Sequence, residues 1–164
     1  MQTAPIHQKW LLAHELTRDH LSDSQWTWLS YPHSLTQKLR ERYGDKMQLA
    51  LQSESWGLPE PDEATLLGIS PLETCLLRKI HWLFNEEPWI KARVIIPASS
   101  THDKGAELTE IGTRSLGDIL FLDPNLKRSE FLFCGQKEHY SRRSIFHYYG
   151  KPILVQEDFL IEKF

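Results

Sequence analysis

From residue 46 onward the chain repeatedly alternates apolar and polar residues. This is the period of a β-strand, whose successive side chains face opposite sides. "KMQLALQSES" places Met47, Leu49 and Leu51 on one face and Lys46, Gln48 and Gln52 on the other, a strand with one wet face. "CLLRKIHWLF" (75–84) groups Leu76, Arg78, Ile80, Trp82 and Phe84 on one face, apolar except at Arg78. After the short polar "NEEP", "WIKARVIIP" groups Ile90, Ala92, Val94 and Ile96 and turns Lys91 and Arg93 the other way, toward an expected solvent face. So brief a connection between two such runs predicts a β-hairpin. "SEFLFCG", "RRSIFHYYG" and "KPILVQEDFLIEKF" predict three further strands, the last two a hairpin through Gly150 and Lys151.

Before residue 46 the pattern is helical. "SQWTWLSY" predicts a short helix closed by Pro32. "SLTQKLRERYG" predicts a helix over about 34–43, with Ser34 and Gln37 in capping-box spacing and Gly44 as the stop. "WGLPEPDEATLLGISP" reads as a connection with room for one helical turn, and residues 98–114 as a polar loop. "SLGDILFLDP" reads as a short helix broken at Pro124. Five or six strands joined mostly by hairpins, with helices near the start, predict an α+β domain on an antiparallel sheet.

Composition narrows the function. A chain of 164 residues suits one core and one domain, taken as 1–164. The net charge of −3 offers no basic surface for nucleic acid. The N-terminal twenty residues lack the apolar run of a signal peptide, and no segment approaches the roughly 18 uninterrupted apolar residues of a membrane span. A cytoplasmic location is therefore expected. Cys75 and Cys134 lie in apolar runs without metal-ligand spacing and are expected as buried thiols. The eight histidines are scattered, and neither a phosphate-binding glycine loop nor a nucleophile elbow occurs. No metal site is expected.

Two residues break the strand pattern. Arg78 interrupts one apolar face; Glu157 interrupts another, between Val155 and Phe159 in the last strand. An unpaired buried charge is costly, so each needs a partner. They could pair with each other, or a β-bulge could turn one to solvent. Alternatively both could face a cavity and hold opposite ends of a polar ligand, Arg78 gripping a carboxylate in two-pronged fashion and Glu157 meeting a hydroxyl or moving a proton.

The segments "LLRKIHWLFNEEPWIKARVIIP", "SLGDILF", "YSRRSIF" and "GKPILVQEDFL" occur in an order and spacing that resembles the chorismate lyase family, from about Trp26 to Leu160. The resemblance implies an α+β fold with a six-stranded antiparallel sheet, helices on one side and an enclosed ligand cavity. It implies conversion of chorismate to 4-hydroxybenzoate and pyruvate, the opening step of bacterial ubiquinone synthesis, without metal, nicotinamide or flavin, by a monomer. In that family's terms Arg78 takes the ring carboxylate and Glu157 the ring hydroxyl. Leu116 lines the site, with its backbone amide near the carboxylate. Leu35 stands where better-known members carry a methionine on a flap. The substrate's second carboxylate needs a partner, and Arg142 and Arg143 are the candidates, because alternation sends them to opposite faces. A ligand-sensing domain of the same fold, or a carrier using the same cavity, are the rival readings.

Overall fold

The computed structural model describes residues 9–164; the first part of the segment read above for a signal peptide lies outside them. Alternation produces strands where expected: β1 (Met47–Gly57), β2 (Cys75–Phe84), β3 (Glu87–Pro97), the two-residue β4 (Lys127–Arg128), β5 (Leu132–Gln136), β6 (His139–Tyr148) and β7 (Lys151–Leu160). They form one antiparallel sheet in the order β1-β2-β3-β7-β6-β4, with β5 also paired to β6. The C-terminal strand therefore lies in the middle, joining the β2–β3 hairpin to the second half of the sheet.

Both predicted hairpins are present. Asn85 and Glu86 carry φ of 47° and 70°, Tyr149 and Gly150 φ of 47° and 80°. Positive φ at both central residues marks the tight turn whose twist matches the flanking strands. The second turn is one residue earlier than expected: Lys151 already pairs with Tyr148, and Tyr149 takes the left-handed conformation.

The helices are set by their caps. In α1 (Asp23–Leu29), Ser22 accepts from the Gln25 amide at 3.1 Å and the Gln25 side chain accepts from the Ser22 amide at 2.9 Å. In α2 (Leu35–Tyr43), Ser34 accepts from the Gln37 amide at 3.2 Å, but the Gln37 side chain instead donates to Glu41 at 2.8 Å, so only half of the expected box forms. The connection after β1 contains more than one turn: α3 (Pro61–Leu67) starts on Pro61 and stops at Gly68. The polar loop holds a 3₁₀ segment over Asp103–Glu110, and α4 (Leu116–Leu120) follows.

Apolar residues of the sheet's inner face pack with α1, α2 and α4 in two groups. One includes Val94, Leu116, Ile119 and Phe146; the other includes Trp28, Leu39, Trp82 and Phe159. α3 covers part of the opposite face, with Leu67 packed among Cys75, Ile95, Ile145 and Leu154. The helices thus divide three to one across the sheet. Arg93, expected at the surface, is half-buried beneath α3, where its Nε donates to Glu63 Oε1 at 2.8 Å; Lys91 is exposed. Both cysteines are buried and free, and burial pushes the Cys75 thiol up to about 11.

Candidate active site

Strand register settles what the two misplaced charges do. Ile80, Ala92, Glu157 and Arg142 form one cross-strand row; Arg78, Val94 and Val155 belong to the next. Arg78 and Glu157 therefore share the inner face but sit diagonally, and they do not pair. Each has another partner.

For Arg78 that partner comes from β1. A β-bulge between Leu51 and Ser53 shifts the register, so Glu54, which strict alternation would set with Gln48 and Gln52, lies opposite Arg78 on the inner face. Arg78 Nη1 donates to Glu54 Oε2, and Nη2 to the Gly112 carbonyl at 3.0 Å. Its Nε is buried without an acceptor among the described residues. The residue is 1% exposed.

Glu157 is held by Arg142. Arg142 Nε donates to Glu157 Oε2 at 2.6 Å, and Nη1 donates to the carbonyls of Leu29 (3.1 Å) and Tyr31 (2.6 Å), which end α1 and begin the turn after it. Charge-assisted bonds of this length are among the stronger ones in proteins. Arg142 is fully buried, and its Nη2 has no acceptor among the described residues. Arg143, one residue on, faces the other side of the sheet, where it donates to Asp62 of α3 at 2.8 Å and lies 4.2 Å from the Trp10 ring centroid. Of the two candidates, only Arg142 is on the inner face.

A cavity of about 50 Å³ lies between this face and the helices. Glu157 and Arg142 line it from the sheet, Leu35 from α2 and Leu116 from α4; Trp82 and Phe146 supply aromatic wall. Arg78 does not line it, although its neighbours Ile80 and Val94 do. At ~10–15 Å³ per water the space holds only about three to five water molecules. Leu116 occupies the first helical position of α4, where a backbone N–H has no intrahelical acceptor.

The roof is latched. Thr36 Oγ1 and Ser115 Oγ are 2.5 Å apart, joining α2 to α4. Arg40 grips Asp118 with two parallel bonds of 2.7 and 3.0 Å. The contact needs Gly117, where a Cβ would lie 2.9 Å from Thr36 Oγ1. Among the described residues, no cluster of three or more His, Cys, Asp or Glu is placed to hold a metal, and no helix is long and apolar enough to cross a membrane.

The cavity brings Glu157, Leu35 and Leu116 together, while Arg78, which the resemblance assigns to the same ligand, lies one sheet row outside its lining. The family model for chorismate lyase matches residues 4–164. The chain belongs to the chorismate lyase family. Membership places it among carbon–oxygen lyases. It is 34% identical to a probable chorismate pyruvate-lyase of Coxiella burnetii, over 92% of this chain and 90% of that one. It is 32% identical to another from Pseudomonas putida, over 81% and 79% respectively. In structure it resembles a GntR-family transcriptional regulator from Bacillus cereus (TM-score 0.54, 14% identity, 73% of this chain and 95% of that one). A possible transcriptional regulator from Bacillus subtilis is similar (TM-score 0.52, 16% identity, 70% and 58%). At such identities the likeness is one of fold.

Three features of this chorismate lyase family member escape sequence reasoning. Glu54 is hidden by the bulge, which no residue announces. Arg128 lines the cavity from β4, a strand too short to show alternation. The Thr36–Ser115 latch joins residues 79 apart in sequence. The only advance signal was general: a buried guanidinium such as Arg78 demands an anion, and Glu54 is the carboxylate that answers.

Proposed function

We propose that this protein cleaves chorismate to 4-hydroxybenzoate and pyruvate, as a cytoplasmic monomer whose product feeds ubiquinone synthesis. The observation that carries the reading is Glu157 fixed by Arg142 in a mostly apolar cavity, one sheet row from a buried guanidinium whose Nε has no acceptor among the described residues. The reaction breaks the ether C–O bond, moves a ring hydrogen to the enolpyruvyl methylene and leaves an aromatic ring. Aromatisation drives it, so the site has mainly to hold the substrate folded for an internal transfer and to exclude water.

Arg78 takes the ring carboxylate through Nε and a neighbouring Nη nitrogen, with the Leu116 amide assisting. Glu157 accepts from the ring hydroxyl at the other end. In this position it orients the ring, and the internal hydrogen transfer asks for no protein base. Arg142 keeps Glu157 in place and offers Nη2 toward the second carboxylate. Leu35 closes the slot from α2. Because the cavity is smaller than an aromatic acid, entry and release require α2 and α4 to part, with Leu35 as the moving apolar surface.

Purified protein mixed with chorismate, followed by chromatography, tests this. Equal formation of 4-hydroxybenzoate and pyruvate is expected. Binding of 4-hydroxybenzoate without turnover would instead support a sensor of the same fold, and the absence of both would end the reading.

A further inference from the structure

Arg128 is assigned nothing by the reading above, yet it lines the cavity and makes two hydrogen bonds among the described residues, where Arg142 makes three. It is carried on β4 opposite Phe146. Its Nε donates to Ser144 Oγ at 2.8 Å and Nη1 to the Pro32 carbonyl at 3.2 Å. Its guanidinium carbon lies 4.2 Å from the Phe131 ring centroid and 4.3 Å from that of Phe146, so two aromatic faces fix its plane. Nη2 is 3.9 Å from Glu157 Oε2, beyond hydrogen-bond range, and makes no hydrogen bond among the described residues.

Charge points the same way. Arg78 is balanced by Glu54 outside the cavity. Among the described lining residues, the two guanidinium groups of Arg128 and Arg142 face the single carboxylate Glu157. Burial pushes the Arg128 guanidinium down to about 9, Glu157 draws it up and Arg142 adds repulsion. The attraction of an anion arriving between Arg128 and Arg142 would offset both the desolvation and the repulsion.

Substrate chemistry identifies that anion. In chorismate the enolpyruvyl ether is on the ring carbon beside the hydroxyl-bearing one, at the end away from the ring carboxylate. With the hydroxyl at Glu157, the enolpyruvyl carboxylate falls among the cations flanking Glu157. We propose that Arg128 binds the carboxylate of the enolpyruvyl arm and is the residue that distinguishes the dicarboxylate substrate from the monocarboxylate aromatic product. The inference rests on the lyase reading. Its consequence is that cleavage removes the very group Arg128 holds, so the aromatic product no longer engages it.

The test compares wild type, Arg128→Gln and Arg128→Lys in chorismate turnover and in 4-hydroxybenzoate binding by calorimetry, with folding checked by thermal melting. Loss of one charge-assisted bond should raise the chorismate KM of Arg128→Gln about 10- to 100-fold. The 4-hydroxybenzoate Kd should stay within about 3-fold, since an aromatic monocarboxylate has nothing for Arg128 to hold. Arg128→Lys should recover part of the KM. An unchanged KM in folded Arg128→Gln, or a parallel loss of product affinity, would overturn the assignment while leaving the lyase reading intact. A wild type that converts no chorismate would overturn both.

Discussion

Arg142 and Arg143 are consecutive in sequence and separated by the thickness of the sheet, and their surroundings differ in kind. Arg143 meets Asp62, which is 59% exposed, and rests against the face of Trp10. Arg143 itself is buried, and its Nε has no acceptor among the described residues, but its carboxylate partner stands in water's reach, where an ion pair is worth ~0–1 kcal/mol. Arg142 has no exposure, holds a buried carboxylate and two carbonyls, and still keeps one donor without an acceptor among the described residues. The same side chain therefore pairs with a carboxylate in water on one face and forms the polar floor of a cavity on the other. The exposure of the partner carboxylate, 59% for Asp62 against 11% for Glu157, separates the two roles; residue type and the arginine's own burial do not.

The most severe way to break this contrast is Arg142→Met. It removes the guanidinium hydrogen-bonded to buried Glu157, leaving the looser Arg128 Nη2 contact at 3.9 Å, and should cost about 3 kcal/mol in urea unfolding, whereas Arg143→Met leaves the exposed Asp62 unpaired and should cost no more than ~1 kcal/mol. Equal costs would mean that the two faces are energetically alike. Arg78→Ala comes next. Loss of a buried charged contact to substrate, ~2–5 kcal/mol, predicts a fall in kcat/KM of about 30- to 5,000-fold, most of it in KM.

Glu157→Gln keeps the shape and a hydrogen-bonding amide. It should retain measurable turnover, about 10- to 100-fold below wild type, because an internal hydrogen transfer asks no proton of Glu157. Near-total loss in a folded Glu157→Gln equal to that of Arg78→Ala would make Glu157 a proton-transfer group instead.

The smallest effect concerns the roof. Arg40 and Asp118 are about half exposed, so Arg40→Ala should change stability by less than ~1 kcal/mol. It should nonetheless speed 4-hydroxybenzoate dissociation several-fold in stopped-flow chase, because it removes one of the two latches between α2 and α4. An unchanged off-rate would place the exit elsewhere.

Much of this was legible in the residues. Period-two alternation found all five of the longer strands and both hairpins, since side-chain direction on a strand is a local property. The same alternation marked Arg78 and Glu157 as misplaced charges and divided Arg142 from Arg143. Partners were not legible. Glu54 reads as part of a wet strand face until a single extra residue near Gln52 turns it inward. Arg128 sits in "NLKRSE", which looks like any polar connection. The role of Arg93 beneath α3 required knowing that a helix seven residues long crosses the outer face.

What the sequence by itself determined is the set of elements and the faces they present, because caps, turns and alternation act within a few residues. Tertiary structure alone decided which charges meet. β7 inserts between β3 and β6, the bulge in β1 rotates Glu54, and α2 and α4 close over the result. Each of these joins groups tens of residues apart, where the cost of leaving a buried charge unpaired, and not any local preference, selects the partner.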